Sequence, residues 1–156
     1  MIERGDEVSS VFLTQIQTKL MKTLRNRLLV EMAALIAAVS FVQASGIFFG
    51  FYAMFWWWDI VAHFLGGAFL GLLFVWLFFY SGYFGWAKSL LIGKRHVLIS
   101  VFFAIITACL WEIYEYLLGP FFSYGNYVYD TTKDIFMGTA GAFVSSTYFV
   151  VTKLKK

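Results

Sequence analysis

From Met32 to Trp58 the chain carries no charged residue, and this run belongs to one of four apolar stretches that are each long enough to cross a bilayer. Crossing takes about 20 residues of helix. Hydrocarbon offers no water to satisfy backbone N–H and C=O groups, so isolated apolar segments of this length span as helices. The stretches fall at about residues 28–44, 59–80, 97–119 and 134–152. The 156 residues are 61% hydrophobic and only 13% charged, whereas an average soluble domain is about 25% charged. A water-soluble core of this size has no room for so much apolar surface. The expected fold is all-α and integral to the membrane: a four-transmembrane-helix bundle forming one domain.

The basic residues are sorted by position. Arg4, Lys19, Lys22, Arg25 and Arg27 precede the first span, Lys88, Lys94 and Arg95 lie between the second and third, and Lys153, Lys155 and Lys156 follow the fourth. With four spans these fall on one side, and the other side receives only Lys133. The positive-inside rule then places both termini in the cytoplasm, and a multi-pass chain of the plasma (inner) membrane is the expectation. A net charge of +3, distributed in this way, gives no nucleic-acid footprint, and membrane lipids are the expected surroundings. Residues 1–27 read as a cytoplasmic N-terminal segment and residues 28–156 as the transmembrane domain. The polar lead is long for a signal peptide, so the first span is expected to be retained. Val11 to Leu29 mixes apolar and basic residues, as in an amphipathic helix on the inner surface or in a continuation of the first spanning helix. Ile47 to Trp58 is rich in Phe, Tyr and Trp, which settle at headgroup level. Gly119 followed by Pro120 reads as a helix stop. His96 falls in the basic cytoplasmic loop, at headgroup level. The single cysteine, Cys109, forms no intrachain disulfide.

The acidic residues are clustered. Apart from Glu3, Asp6, Glu7 and Glu31 they are Asp59, Glu112, Glu115, Asp130 and Asp134, and His63 joins them. The threading puts these six at one level. Asp59 opens the second helix from outside with His63 one turn further in, Glu112 and Glu115 close the third, and Asp130 and Asp134 open the fourth. At 1.5 Å rise per residue each lies within roughly 10 Å of the outer boundary. Within each pair the spacing is three or four, which places both groups on one helix face. Three inward faces at matching depth would bring six potential ligands together.

Helix-terminal roles account for part of the cluster. Asp59 suits an N-cap, and Asp130 or Asp134 suits a helix N-terminus. Glu112 and Glu115 have no such account, because the dipole at a helix C-terminal end repels anions and ionisable groups in an apolar run are costly. Lys133 and a protonated His63 neutralise two of the five carboxylates. Two unit charges about 5 Å apart repel by roughly 3 kcal/mol at an effective dielectric of 20, so the remainder needs protons, a cation or water. A divalent ion meets the need most directly, and oxygen-rich ligation with one imidazole suits Mg²⁺, Mn²⁺ or Fe²⁺. Asp59, His63, Asp130 and Asp134 are the expected metal ligands, with Glu112 or Glu115 as ligand or general base. Two other readings stay open: a non-catalytic cluster that fixes helix packing or senses cations or pH, and a small proton- or ion-coupled transporter. Gly66, Gly67 and Gly71, with Gly138, Ala140 and Gly141, read as close-packing faces just inside the cluster.

Asp59-Ile-Val-Ala-His63-Phe-Leu-Gly-Gly, then Trp111-Glu112-Ile-Tyr-Glu115-Tyr, then Tyr129-Asp130-Thr-Thr-Lys-Asp134 with Gly138 and Gly141, resembles the YjdF-like family of small bacterial and archaeal membrane proteins. It is more distantly similar to VanZ-like proteins, which are associated with glycopeptide resistance. The resemblance covers about Trp58 to Ala142 and implies that these six residues form the site; it implies no substrate. The second Asp-rich motif of UbiA-type prenyltransferases is absent, as are the Asp-Gly-Ala-Arg string of CDP-alcohol phosphotransferases and the Arg and second His of lipid phosphatases. The expectation is an outward-facing carboxylate–histidine metal site, acting by metal-assisted hydrolysis or transfer on a lipid-linked or envelope substrate.

Overall fold

A computed structural model describes residues 3–84, 93–118 and 127–154, with side chains between residues 12 and 152 of these. The described elements are all helical. They are α1 (Glu3–Phe48), the one-turn α2 (Phe51–Met54), α3 (Trp58–Val75) running on into a π-helical turn (Trp76–Tyr80), α4 (Lys94–Leu118) and α5 (Tyr127–Leu154). Four of these are long and apolar enough to span a membrane. Lys88, Gly119, Pro120, Lys155 and Lys156 lie outside the described residues.

α1 is one continuous helix of 46 residues, about 69 Å at 1.5 Å per residue. The segment Val11 to Leu29 is therefore the continuation of the first spanning helix. Because the hydrocarbon core is about 30 Å thick, α1 extends well beyond the span expected at 28–44. α5 begins at Tyr127, earlier than the expected 134. Its first turns are polar, but Asp130 in the opening turn complements the helix dipole and favours helix there.

α3 is the centre of the bundle and packs against α1, α4 and α5, most extensively against α5. One stripe of α3 explains why. Asp59, His63, Gly67, Gly71 and Val75 follow one another at steps of four and so lie on one face. On α5, Asp134, Gly138, Ala142 and Ser146 form the matching stripe. At the small residues the two backbones nearly touch. A methyl group built on Gly67 would run into the Gly138 carbonyl, and one on Gly141 into the Phe64 carbonyl. Helices in lipid gain little from hydrophobic exclusion, so such close packing is what holds them together. Gly66 differs from the sequence expectation: a methyl group there would meet nothing within 4 Å, so it is not part of the close-packing face.

α4 is amphipathic in the inverted sense. Ser100, Ala104 and Glu112 are buried, again at multiples of four, while Leu98, Phe102, Leu110, Ile113 and Leu117 stand exposed on the other side. The Ser100 hydroxyl donates to the Gly71 carbonyl at 2.8 Å, pinning α4 to α3 near mid-helix. Away from the carboxylates, Leu28, Val75 and Phe149 are fully enclosed, with Leu24, Met32, Phe79 and Tyr80 around them. His96 belongs to this end but is a helix residue rather than the loop residue expected. It sits in the first turn of α4 at 2% exposure, its ring against Phe79 with centroids 3.8 Å apart. Its Nδ1 accepts the Gly93 N–H at 3.2 Å while the His96 backbone N–H donates to the Gly93 carbonyl, a reciprocal cap for α4. The cap satisfies Nδ1, and the face of the ring packs into the core against Phe79.

Gly67→Ala and Gly141→Ala are expected to destabilise the bundle in detergent by about 1–3 kcal/mol, since each forces two helix backbones apart. Gly66→Ala should stay within about 0.5 kcal/mol of the wild type. Reversible unfolding in mixed micelles, followed by helical circular dichroism, measures both.

Candidate functional site

The carboxylate end of the bundle is assembled from four helix ends and the aromatic turn after α1. Trp57 is the N-cap of α3 and makes no side-chain cap bond, so Asp59 is not the cap expected from sequence; it lies inside the first turn. Its carboxylate is therefore free to face α5. Asp59 Oδ1 is 3.3 Å from His63 Nε2, and Asp134 Oδ2 is 3.9 Å from the same nitrogen. The Lys133 ammonium lies 2.6 Å from Asp130 Oδ1, 3.1 Å from Asp59 Oδ2 and 3.4 Å from Asp134 Oδ1. Lys133 thus reaches three aspartates on two helices, a more central position than its place in the sequence suggests.

Glu112 and Glu115 approach His63 from α4. Ligand atoms of Asp59, His63 and Asp134 lie within 4.8 Å of one another, and so do those of His63, Glu112 and Glu115. His63 is the member common to both groups. The expected convergence of Asp59, His63, Glu112, Glu115 and Asp134 is therefore present. Asp130 differs: it meets the cluster through Lys133 and belongs to neither group of three. Glu112 is buried at 5% exposure and Asp134 at 3%. Asp134 Oδ1 is enclosed and, among the described residues, accepts no hydrogen bond.

Several residues to which the sequence assigned no part in the cluster shape the site. The Trp111 indole N–H donates to Glu115 Oε1 at 2.8 Å, holding that carboxylate from one turn away. The Tyr127 hydroxyl donates to the Glu112 carbonyl at 3.1 Å, tying the start of α5 to the end of α4. Tyr52, in α2, donates to Gln43 Oε1 and lays its ring over Gly46. Burial, and then the negative charges of Asp59 and Glu115, push the Tyr52 phenol up to about 12. The Trp58 indole donates to the Val42 carbonyl at 3.1 Å, and Phe51, Phe55 and Trp57 pack around it. The aromatic turn thereby clamps the end of α1 beside the cluster. The four-residue spacing of Trp111 and Glu115 was the one signal that pointed to any of these contacts.

Electrostatically the site holds five carboxylates against one ammonium and one imidazole. Asp130, in the opening turn of α5, gains from the helix N-terminus, whereas Glu115, in the last turn of α4, lies where the dipole is unfavourable. An arrangement of this kind can take up protons or a hard cation, and at a cation it can activate bound water.

A family model described as Predicted membrane protein (DUF2238) matches residues 7–155. The chain belongs to that family. The match extends over the N-terminal third, where no motif was legible, and it supports a membrane-protein family rather than the YjdF-like or VanZ-like name. No curated protein and no solved structure matches the chain.

A double-mutant cycle of Asp59→Asn and Lys133→Met, run with chelator present, is expected to give a coupling of about 1–3 kcal/mol across α3 and α5. Unfolding in mixed micelles measures it. A coupling near zero would mean that the ion pair adds nothing to the helix contact.

Proposed function

We propose that this family member binds a divalent cation at the carboxylate end of its bundle, and that this end faces outward from the plasma membrane with both termini in the cytoplasm. One observation carries the reading: His63 stands in two groups of three ligand atoms, each within 4.8 Å, supplied by α3, α4 and α5. Carboxylate oxygens with one imidazole suit Mg²⁺, Mn²⁺ or Fe²⁺. A cation held here would polarise a phosphoryl or carbonyl oxygen and make its bound water a nucleophile at neutral pH. Glu112 or Glu115 would take the proton from that water as general base, the other serving as ligand. The activity proposed is hydrolysis or transfer on a lipid-linked or envelope substrate. The exposed aromatics Trp56 and Trp57 beside the site would seat an acyl or prenyl chain. The YjdF-like kinship, carried by the ordered Asp59–His63, Trp111–Glu115 and Asp130–Asp134 pairs, belongs to the same proposal.

A second reading has its own observation. Lys133 ties Asp130 of α5 to Asp59 of α3, so the cluster also serves packing, and a non-catalytic protein would need nothing more. The transporter reading gains no support among the described residues. Below His63 the α3–α5 contact is lined by Gly67, Ala68, Gly71, Leu72 and Val75, and the one deeper carboxylate, Glu31, is paired with Arg27 at 2.9 Å.

Two measurements test the proposal. Wild-type protein in detergent is expected to bind Mn²⁺, seen by electron paramagnetic resonance, with His63→Ala and Glu112→Gln at least tenfold weaker and their helicity unchanged. Absence of Mn²⁺ binding, together with no thermal stabilisation by Mg²⁺, would leave the packing reading. For orientation, Cys109→Ser carrying Trp56→Cys should react in intact cells with a membrane-impermeant maleimide, whereas Cys109→Ser carrying Gln17→Cys should react only after lysis. The reverse pattern would place the site on the cytoplasmic side.

A further inference from the structure

Building on the cation-site reading, we propose that Lys133 is a resident counter-cation that divides the cluster in two: its ammonium fills the aspartate half, so the protein takes a single divalent ion, in the half formed by His63, Glu112 and Glu115.

The geometry of the aspartate half is that of a cation cage. Three carboxylate oxygens from two helices point at one nitrogen, at 2.6, 3.1 and 3.4 Å. An ammonium has three protons to donate and no acceptor, so it serves these oxygens as a small metal ion would, at somewhat longer range. The fit is incomplete in one respect that points to a ligand. Asp134 is 3% exposed, yet among the described residues its Oδ1 accepts no hydrogen bond and has only the Lys133 ammonium at 3.4 Å. A buried carboxylate oxygen served only by an ammonium at this range is the position a more highly charged cation would claim in its place. While Lys133 is present, a divalent ion beside it would face a like charge at close range, and like charges in a partly desolvated site repel strongly.

Among the described residues, the glutamate half has no such resident cation. Glu115 is held by the neutral Trp111 indole, and His63 reaches it across α3 and α4. His63, the member common to both groups, would offer the ion its imidazole, with the Asp59 and Asp134 carboxylates beside its Nε2. Lys133 on this view sets the number of ions and the place of the one that binds, a role distinct from holding helices together.

Counting Mn²⁺ ions by electron paramagnetic resonance, on the full chain in detergent, tests the division. Wild type and Lys133→Arg are expected to bind one ion and Lys133→Met two. A single ion in Lys133→Met, or two in wild type, would overturn the role of Lys133 while leaving the cation site standing; none in any form would remove the cation site itself. A second comparison does not depend on how well Lys133→Met folds. Asp134→Asn should change Mn²⁺ affinity less than threefold and Glu115→Gln should lower it at least tenfold. Equal losses in the two variants would place the ion in the aspartate half and overturn the proposal.

Discussion

The near-contact of two helix backbones at Gly67 and Gly138, and again at Gly141 and Phe64, is the constraint on which the rest of the structure depends. Side chains of ordinary size there would hold α3 and α5 farther apart. The Lys133 ammonium spans the two helices at 3.1 Å, and Asp134 reaches His63 at 3.9 Å, only because the backbones come so close one turn below. Small residues thus do at the membrane interior what a large apolar core does in a soluble protein: they fix a distance. The polar cluster is placed by that distance and adds to it, since an ion pair between α3 and α5 resists their separation.

The bundle keeps its two ends chemically different. The end around Leu28, Val75 and Phe149 is apolar and enclosed, with the Nδ1 of the buried His96 capped by Gly93. The other end concentrates carboxylates, an ammonium and an imidazole, flanked by Trp56, Trp57, Trp111 and Tyr52. Indole and phenol groups favour the interface between lipid and water. Asp130 in the opening turn of α5 benefits from its dipole, whereas Glu115 in the last turn of α4 does not.

The sequence by itself determined the four spanning helices, because apolar length and backbone hydrogen bonding in lipid leave no other solution. It also determined that Asp59, His63, Glu112, Glu115 and Asp134 would share one level, since helices of known rise that alternate in direction fix depth. The spacing of three or four residues was enough to put each pair on one face. Which faces meet is a matter of how helices rotate about their axes, and no periodicity records that. Only the tertiary structure decided that His63 is common to both groups, that Asp130 is engaged by Lys133, that Gly66 is idle while Gly67 is not, and that His96 is a capped core residue. The continuity of α1 through Val11 to Leu29, and the early start of α5, were likewise beyond hydropathy, because polar residues end an apolar run without ending a helix. Depth is a property of one helix and is written in its own residues, whereas contact is a property of two and depends on the packing of both.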